Sequence, residues 1–221
     1  MKTIQIALAA GAALALAGAA QAQAQAKAQD FQPKTAGTVM LNVRLTDVAP
    51  DAGDAITTLN GAATGLTAHV GDSIVPTLGL TYFFTDHVAA EVIAGSSKHT
   101  VRAKGAGADV KLQETWVLPP TVTLQYHFAP AAKVSPYVGA GVNYMLFYAE
   151  KDHNGFGLDI DNGFGLALQA GADVAIHGPW SANVDVKKIF FETDAKDPWN
   201  GVKSKVELDP WVVSAGIGYK F

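Results

Sequence analysis

Five charged residues and one histidine carry most of the chemistry this chain could do. Arg44, Glu91, Asp173, Asp185 and Lys187 each stand in a run where apolar and polar residues alternate, and each falls on the polar side. Alternation with period two places the two sets on opposite faces of a strand. If those polar sides share one lumen, the charges must pair or meet water, so the five are expected to form a polar plug. His127, in Gln125-Tyr126-His127-Phe128, could act as a general base. No serine stands in a matching motif, and a lumen-facing polar place near a rim is expected instead. Asp159-Ile160-Asp161-Asn162-Gly163 hints at oxygen ligands for a cation. The spacing of an EF-hand is absent, so a solvated acidic loop without metal is expected. Zero cysteines exclude a thiol nucleophile and a disulfide framework. No phosphate-cradling glycine loop opens a helix, and no cofactor is implied.

The elements that would position these residues are strands. Residues 38–47 put Val39, Leu41, Val43 and Leu45 on one face and Met40, Asn42, Arg44 and Thr46 on the other. Residues 121–128 repeat the pattern, with Val122, Leu124, Tyr126 and Phe128 opposite Thr121, Thr123, Gln125 and His127. Alternating segments also cover about 74–85, 87–99, 136–148, 164–176, 180–193 and 211–221. Short connections alternate with long ones. Thr85-Asp86, residues 129–135 and His177-Gly178-Pro179 are short; residues 48–73, 100–115, 149–162 and 194–204 are long and rich in Gly, Asp, Lys and Asn. The long ones are expected to be loops.

Of 221 residues, 49% are hydrophobic and 16% charged, well below the usual quarter for soluble domains. Yet a membrane helix needs about 20 consecutive apolar residues, and only the N-terminus approaches that. Residues 1–22 read as a signal peptide: Lys2, an apolar stretch from Ile4 to Ala17, and the small-x-small site Ala20-Gln21-Ala22. Residues 23–37 are expected to be a flexible segment and 38–221 a single folded unit. Ten Phe, four Trp and six Tyr require burial and exclude disorder. A net charge of −4 without a basic block argues against nucleic acid as a partner.

Eight alternating strands with short and long connections in turn are the layout of an eight-stranded antiparallel transmembrane β-barrel, all-β in class. A soluble barrel or sandwich would show the same periodicity with its apolar faces inward. Three features favour lipid outside: unbroken aliphatic ladders, aromatics near strand ends (Phe84, Phe128, Tyr148, Phe164, Trp211, Tyr219, Phe221), and small or ionisable residues on the opposite faces. Lys188 departs from the pattern. Strict alternation aims it at lipid, where it must snorkel or be turned by a bulge.

Leu118-Pro119-Pro120-Thr121, Pro136-Tyr137-Val138-Gly139-Ala140-Gly141-Val142-Asn143-Tyr144, Leu208-Asp209-Pro210-Trp211-Val212 and the ending Gly218-Tyr219-Lys220-Phe221 occur in an order that resembles the OmpW family of small outer-membrane barrels. The resemblance runs from about Val39 to Phe221. It implies a barrel in the outer membrane of a Gram-negative bacterium, in contact with outer-membrane lipids and lipopolysaccharide. It also implies a narrow passive channel for small hydrophobic solutes. The alternating last strand with Tyr219 and Phe221 resembles the signal read by the barrel-assembly machinery.

Within that frame, Ile93, Met145 and Phe147 fall on inward parity, as does Phe83. They suggest an apolar tunnel above the polar plug. Pro119 and Pro120 lie about eight residues from the end of their strand, or about 20 Å above the nearer rim. Prolines donate no ladder bonds, so a lateral opening into lipid is expected there; the other reading is that they end the ladder and start a loop. Two further functions stay open: a structural or adhesive barrel acting through its loops, and a lipid-modifying enzyme using a His/Ser/acid set.

Overall fold

The computed structural model describes residues 30–58, 60–105, 107–153, 155, 158–197 and 201–221. The expected signal segment lies outside the described residues. Among the described residues every regular element is a strand: β1 (Val39–Ala49), β2 (Ala55–Thr58), β3 (Ala63–Val70), β4 (Ser73–Phe83), β5 (Val88–Ala94), β6 (Ser97–Gly105), β7 (Ala108–Leu118), β8 (Thr121–His127), β9 (Val134–Asp152), β10 (Asp159–Ile160), β11 (Gly163–His177), β12 (Trp180–Phe190), β13 (Glu192–Asp197), β14 (Val202–Glu207) and β15 (Trp211–Lys220).

Strands β1, β4, β5, β8, β9, β11, β12 and β15 pair antiparallel in that order. Strand β15 then returns to β1, from Met40 opposite Lys220 to Ala49 opposite Trp211, and the barrel closes with eight strands. Closure leaves no edge, as a sheet in lipid requires. Its outward faces are apolar on every side: Leu45, Ile74, Leu78, Leu124, Leu166 and Ile217 are all more than half exposed, and Phe164 is 77% exposed. So large an uncovered apolar belt fits a surface meant for acyl chains rather than water. Aromatic pairs ring the short-turn end, with Tyr82 against Phe84, Tyr126 against Phe128, and Tyr219 between Trp180 and Phe221.

The long connections are not loops. Strands β10, β13, β14, β2, β3, β6 and β7, with the far half of β9, pair in that order into a collar above the barrel. Their polar composition concealed it. Most of its Lys and Asp residues are exposed, while Ile56, Ala68, Ala103, Leu112, Leu158 and Val206 pack inside as one cluster. Glycines with positive φ turn the hairpins, Gly107 between β6 and β7 and Gly201 between β13 and β14.

Residues 30–37 also differ from the expectation of a flexible segment. Phe31 bridges to Gly178, Gln32 N–H donates to Gly178 O at 2.8 Å, and Lys34 N–H donates to Pro130 O at 3.1 Å. Gly37 N–H reaches Phe83 O, and Ala36 N–H reaches Asp86 Oδ1. The segment thus crosses the short-turn mouth as a strap tied to three successive turns.

Candidate functional site

Inside the barrel the side chains change character along each strand. Toward the short turns they are polar: Asn42 and Arg44 on β1, Glu91 on β5, Thr123, Gln125 and His127 on β8, Gln169 and Asp173 on β11, Asn183 and Asp185 on β12, all buried. Within two to four residues up the same faces come Val48, Ile93, Met145, Ala167, Ile189 and Val212.

The five charged residues singled out by parity come together in the lower half, joined by a sixth that parity did not find. Arg44 Nη2 meets Glu91 Oε1 at 2.7 Å. Lys187 Nζ meets Asp185 Oδ1 at 2.5 Å and Glu91 Oε2 at 3.3 Å. Asp173 takes Lys34 Nζ at 2.6 Å, brought in by the strap. Within this ion-pair network three cations therefore face three anions, while the buried Lys220 ammonium at the mouth is held by Gln32 O. An ion pair in so dry a place needs partners for its remaining valences, and here amides and a phenol supply most of them, leaving Arg44 Nη1 without one. Gln169 Nε2 donates to Glu91 Oε2 at 2.8 Å and Asp185 Oδ2 at 2.6 Å. Tyr137 Oη donates to Asp185 Oδ2 at 2.7 Å. Asn183 Nδ2 donates to Asp173 Oδ1, while its Oδ1 accepts from Arg44 Nε. Gln125 Nε2 donates to Glu91 Oε2 at 3.2 Å. A Cβ at Gly79 would stand 2.8 Å from Arg44 Nη1 and 3.0 Å from Glu91 Oε1, so glycine makes room for that pair.

His127 belongs to this layer. Lys34 Nζ lies 3.1 Å from its Nδ1, which must therefore accept, leaving Nε2–H to donate to Gln125 Oε1 at 3.1 Å. Both ring nitrogens of His127 are committed within the network. Phe83, expected among the tunnel residues, lies instead beneath the charges, fully buried with its ring 4.8 Å from that of His127.

Above the polar layer an apolar chamber opens toward the collar. Ile93, Met145 and Phe147 line it, with Val117, Ile189 and Val212. Asn162 Oδ1 accepts Phe147 N–H at 2.7 Å, so the acidic motif contributes a loop cap here. Lys188 does face outward; it snorkels, its ammonium over the Trp211 ring at 5.2 Å and bonded to Asp209 O.

Pro119 and Pro120 also line the chamber or flank it, at a break in the wall. Strand β5 pairs with β8 up to Ile93 opposite Thr121, and β6 pairs with β7 from Ser97 opposite Val117. The register is the same on both sides, so Ala94, Gly95 and Ser96 face Pro120, Pro119 and Leu118 without a rung. On its other flank β5 loses β4 after Ala94 opposite Leu78, where Pro76 follows one residue beyond Thr77. The segment 95–96 thus has prolines on both sides. Of the two readings of the proline pair, neither is complete: the ladder stops, yet it resumes in register as β7 rather than becoming a loop. Outside the break, the hydroxyls of Ser96 and Tyr148 bond to each other.

Closed barrel, lipid-facing exterior and chambered lumen together define an outer-membrane β-barrel protein. The chain belongs to the OmpW family, which it matches over residues 35–221. An outer-membrane protein of Sinorhizobium fredii, y4mB, is 45% identical over 154 residues, 68% of this chain and 67% of that one. The dibenzothiophene metabolism operon protein PahQ of Pseudomonas aeruginosa is 32% identical over 184 residues, 81% of this chain and 86% of its own. The crystal structure of the outer membrane protein OprG from Pseudomonas aeruginosa superposes with a TM-score of 0.80 at 32% identity, covering 87% of this chain and 99% of OprG.

Proposed function

We propose that this protein is a passive channel for small hydrophobic molecules, which enter through the collar, occupy the chamber and leave sideways into the membrane. One observation carries the reading: the apolar chamber ends on a closed, charge-balanced floor, and the wall beside it lacks ladder bonds at 94–96 and 118–120. An apolar solute cannot cross the floor without stripping paired ions, which costs several kcal/mol per charge. The gap opposite Pro119 and Pro120 leads to acyl chains at no such cost. A relative named for dibenzothiophene metabolism accords with apolar cargo.

The test uses the absence of native cysteine. Ser96→Cys with Leu118→Cys places two thiols across the gap in continued register. Uptake of an apolar solute into cells or vesicles should fall when the bridge is oxidised and return on reduction. Unchanged uptake with the bridge closed would remove the sideways route.

Lipopolysaccharide would surround the collar and outer-membrane lipid the belt. We also read Tyr219 and Phe221 as the assembly signal for the barrel-assembly machinery. Phe221 is 67% exposed at the end of the last strand, while Lys220 is buried and donates to Gln32 O at 2.6 Å. Deleting Phe221 should reduce assembled barrel more than Lys220→Ala does; equal surface levels would refute it.

A further inference from the structure

Three lysines are buried on the inner side of this barrel; Lys220 donates to Gln32 O at the mouth, and the other two, which meet the floor's carboxylates, spend their three N–H bonds differently. Lys34 commits all three, to Asp173 Oδ2 at 2.6 Å, Ser135 Oγ at 2.9 Å and His127 Nδ1 at 3.1 Å. Lys187 has two acceptors, Asp185 Oδ1 at 2.5 Å and Glu91 Oε2 at 3.3 Å. Both lie on the floor side. The Lys187 side chain, 2% exposed, lines the chamber above and is the one Lys, Arg, Asp or Glu among the chamber's described lining residues. The nearby hydroxyls are already engaged. Thr46 is bonded to Thr77 and Ser214, and Thr121 donates to Pro119 O while accepting from Asn143.

We infer that Lys187 forms a head-group subsite at the chamber floor, selecting hydrophobic solutes that carry one neutral oxygen acceptor: an ether, ester, aldehyde or alcohol. This rests on the chamber being a solute site. The charge count sets the class. In the ion-pair network under the chamber three cations already meet three anions, so a carboxylate head would bring an unmatched charge into an apolar space, and an ammonium head would meet the like charge of Lys187. A neutral oxygen takes the remaining N–H without disturbing the balance. A pure hydrocarbon leaves it unused, and an unmet charged donor is costly where water is displaced.

The test compares n-decane with its isostere octyl methyl ether, in which one methylene is replaced by oxygen. Each competes with the fluorescent probe N-phenyl-1-naphthylamine on the full barrel in phosphatidylcholine vesicles. The ether-to-decane ratio of apparent affinities, divided by the same ratio for protein-free vesicles, removes bulk partitioning. In the unaltered protein this quotient should be about ten, equivalent to about 1.4 kcal/mol. Lys187→Arg, which keeps charge and donors, should retain it, and Lys187→Met, checked for heat-modifiable migration, should bring it to about one. Should the Met variant fail to fold, a quotient of about one in the unaltered protein overturns the subsite by itself. So does a quotient unchanged by Lys187→Met, or a carboxylate competitor that outranks the ether. If neither decane nor ether displaces the probe, the chamber reading has failed, a result distinct from displacement by both with no preference.

Discussion

The lower and upper halves of this lumen are built from the same eight strands with the same alternation, yet they solve opposite problems. Below, charged and amide side chains form one hydrogen-bonded layer over Phe83, all eight strands are paired with their neighbours, and the strap covers the mouth. Above, inward positions are mostly apolar with scattered hydroxyls, the wall has lost rungs beside Gly95, and the space is open. The change falls within one step along a strand: Glu91 to Ile93, Asn143 to Met145, Lys187 to Ile189. What separates a seal from a passage is therefore the side chain on one more inward position, and closure of the backbone is common to both.

Substitutions on either side of that boundary should differ in size. The largest effect is expected for Glu91→Ala, which strips Arg44 and Lys187 of a shared partner and should cost about 3–5 kcal/mol in urea unfolding from vesicles. Single-channel conductance should change with it; a barrel unaltered in both would place Glu91 outside the seal. Lys34→Met comes next, at about 3 kcal/mol, since Asp173 keeps Asn183 but loses its cation. Here ion leakage should rise through the lower mouth, and leak-free vesicles would show that the strap does not seal. Tyr137→Phe removes one hydrogen bond to Asp185 and should cost about 1.5–3 kcal/mol with the pore still closed. Across the boundary, Ile93→Val should cost only about 0.5–1.5 kcal/mol while altering solute uptake. A larger loss of stability than for Tyr137→Phe would erase the distinction between the halves.

The smallest effect belongs to the collar. Hydrogen bonds from Lys111 and Lys98 hold the Glu114 carboxyl at about 2, below its ordinary 4.5. A depressed carboxyl stabilises the folded collar above 4.5, and that contribution fades as the pH falls from 4.5 through 2. Emission from nearby Trp116 should shift over that window while the barrel stays heat-modifiable, and Glu114→Gln should flatten the shift. An identical transition in the variant would assign it to other carboxylates.

Period-two alternation made the eight strands and the inward set legible, because a strand offers a side chain only two directions. It gave the face but not the height. Phe83 is inward as parity requires, yet lies under the charges instead of above them, since barrel tilt and stagger decide level. Gln169, Asn183 and Tyr137 share that inward parity and were passed over because neutral side chains do not announce a network. Lys34 left no trace at all: it sits in a segment with no period, and its place is fixed by three residues 93 to 139 positions away. The collar was missed for a compositional reason, as alanine facing inward and lysine facing outward reads as loop.

The strap has a consequence for the order in which the molecule is made. Its anchors are Pro130, Asp173, Gly178 and, through Gln32, Lys220, the second-last residue of the chain. Contacts of such sequence separation form late, after the intervening chain has paid its closure entropy. The Lys220 tie can close only when β15 has found β1, so one anchor of this early segment waits for the end of the chain. A barrel still missing its final strand lacks that tie, while the partners of Lys34 on β8, β9 and β11 are already present. Closing of the Lys220 tie thus marks completion of the cylinder, and protection of Gln32 and its neighbours from protease would serve as a clock for the final step of insertion.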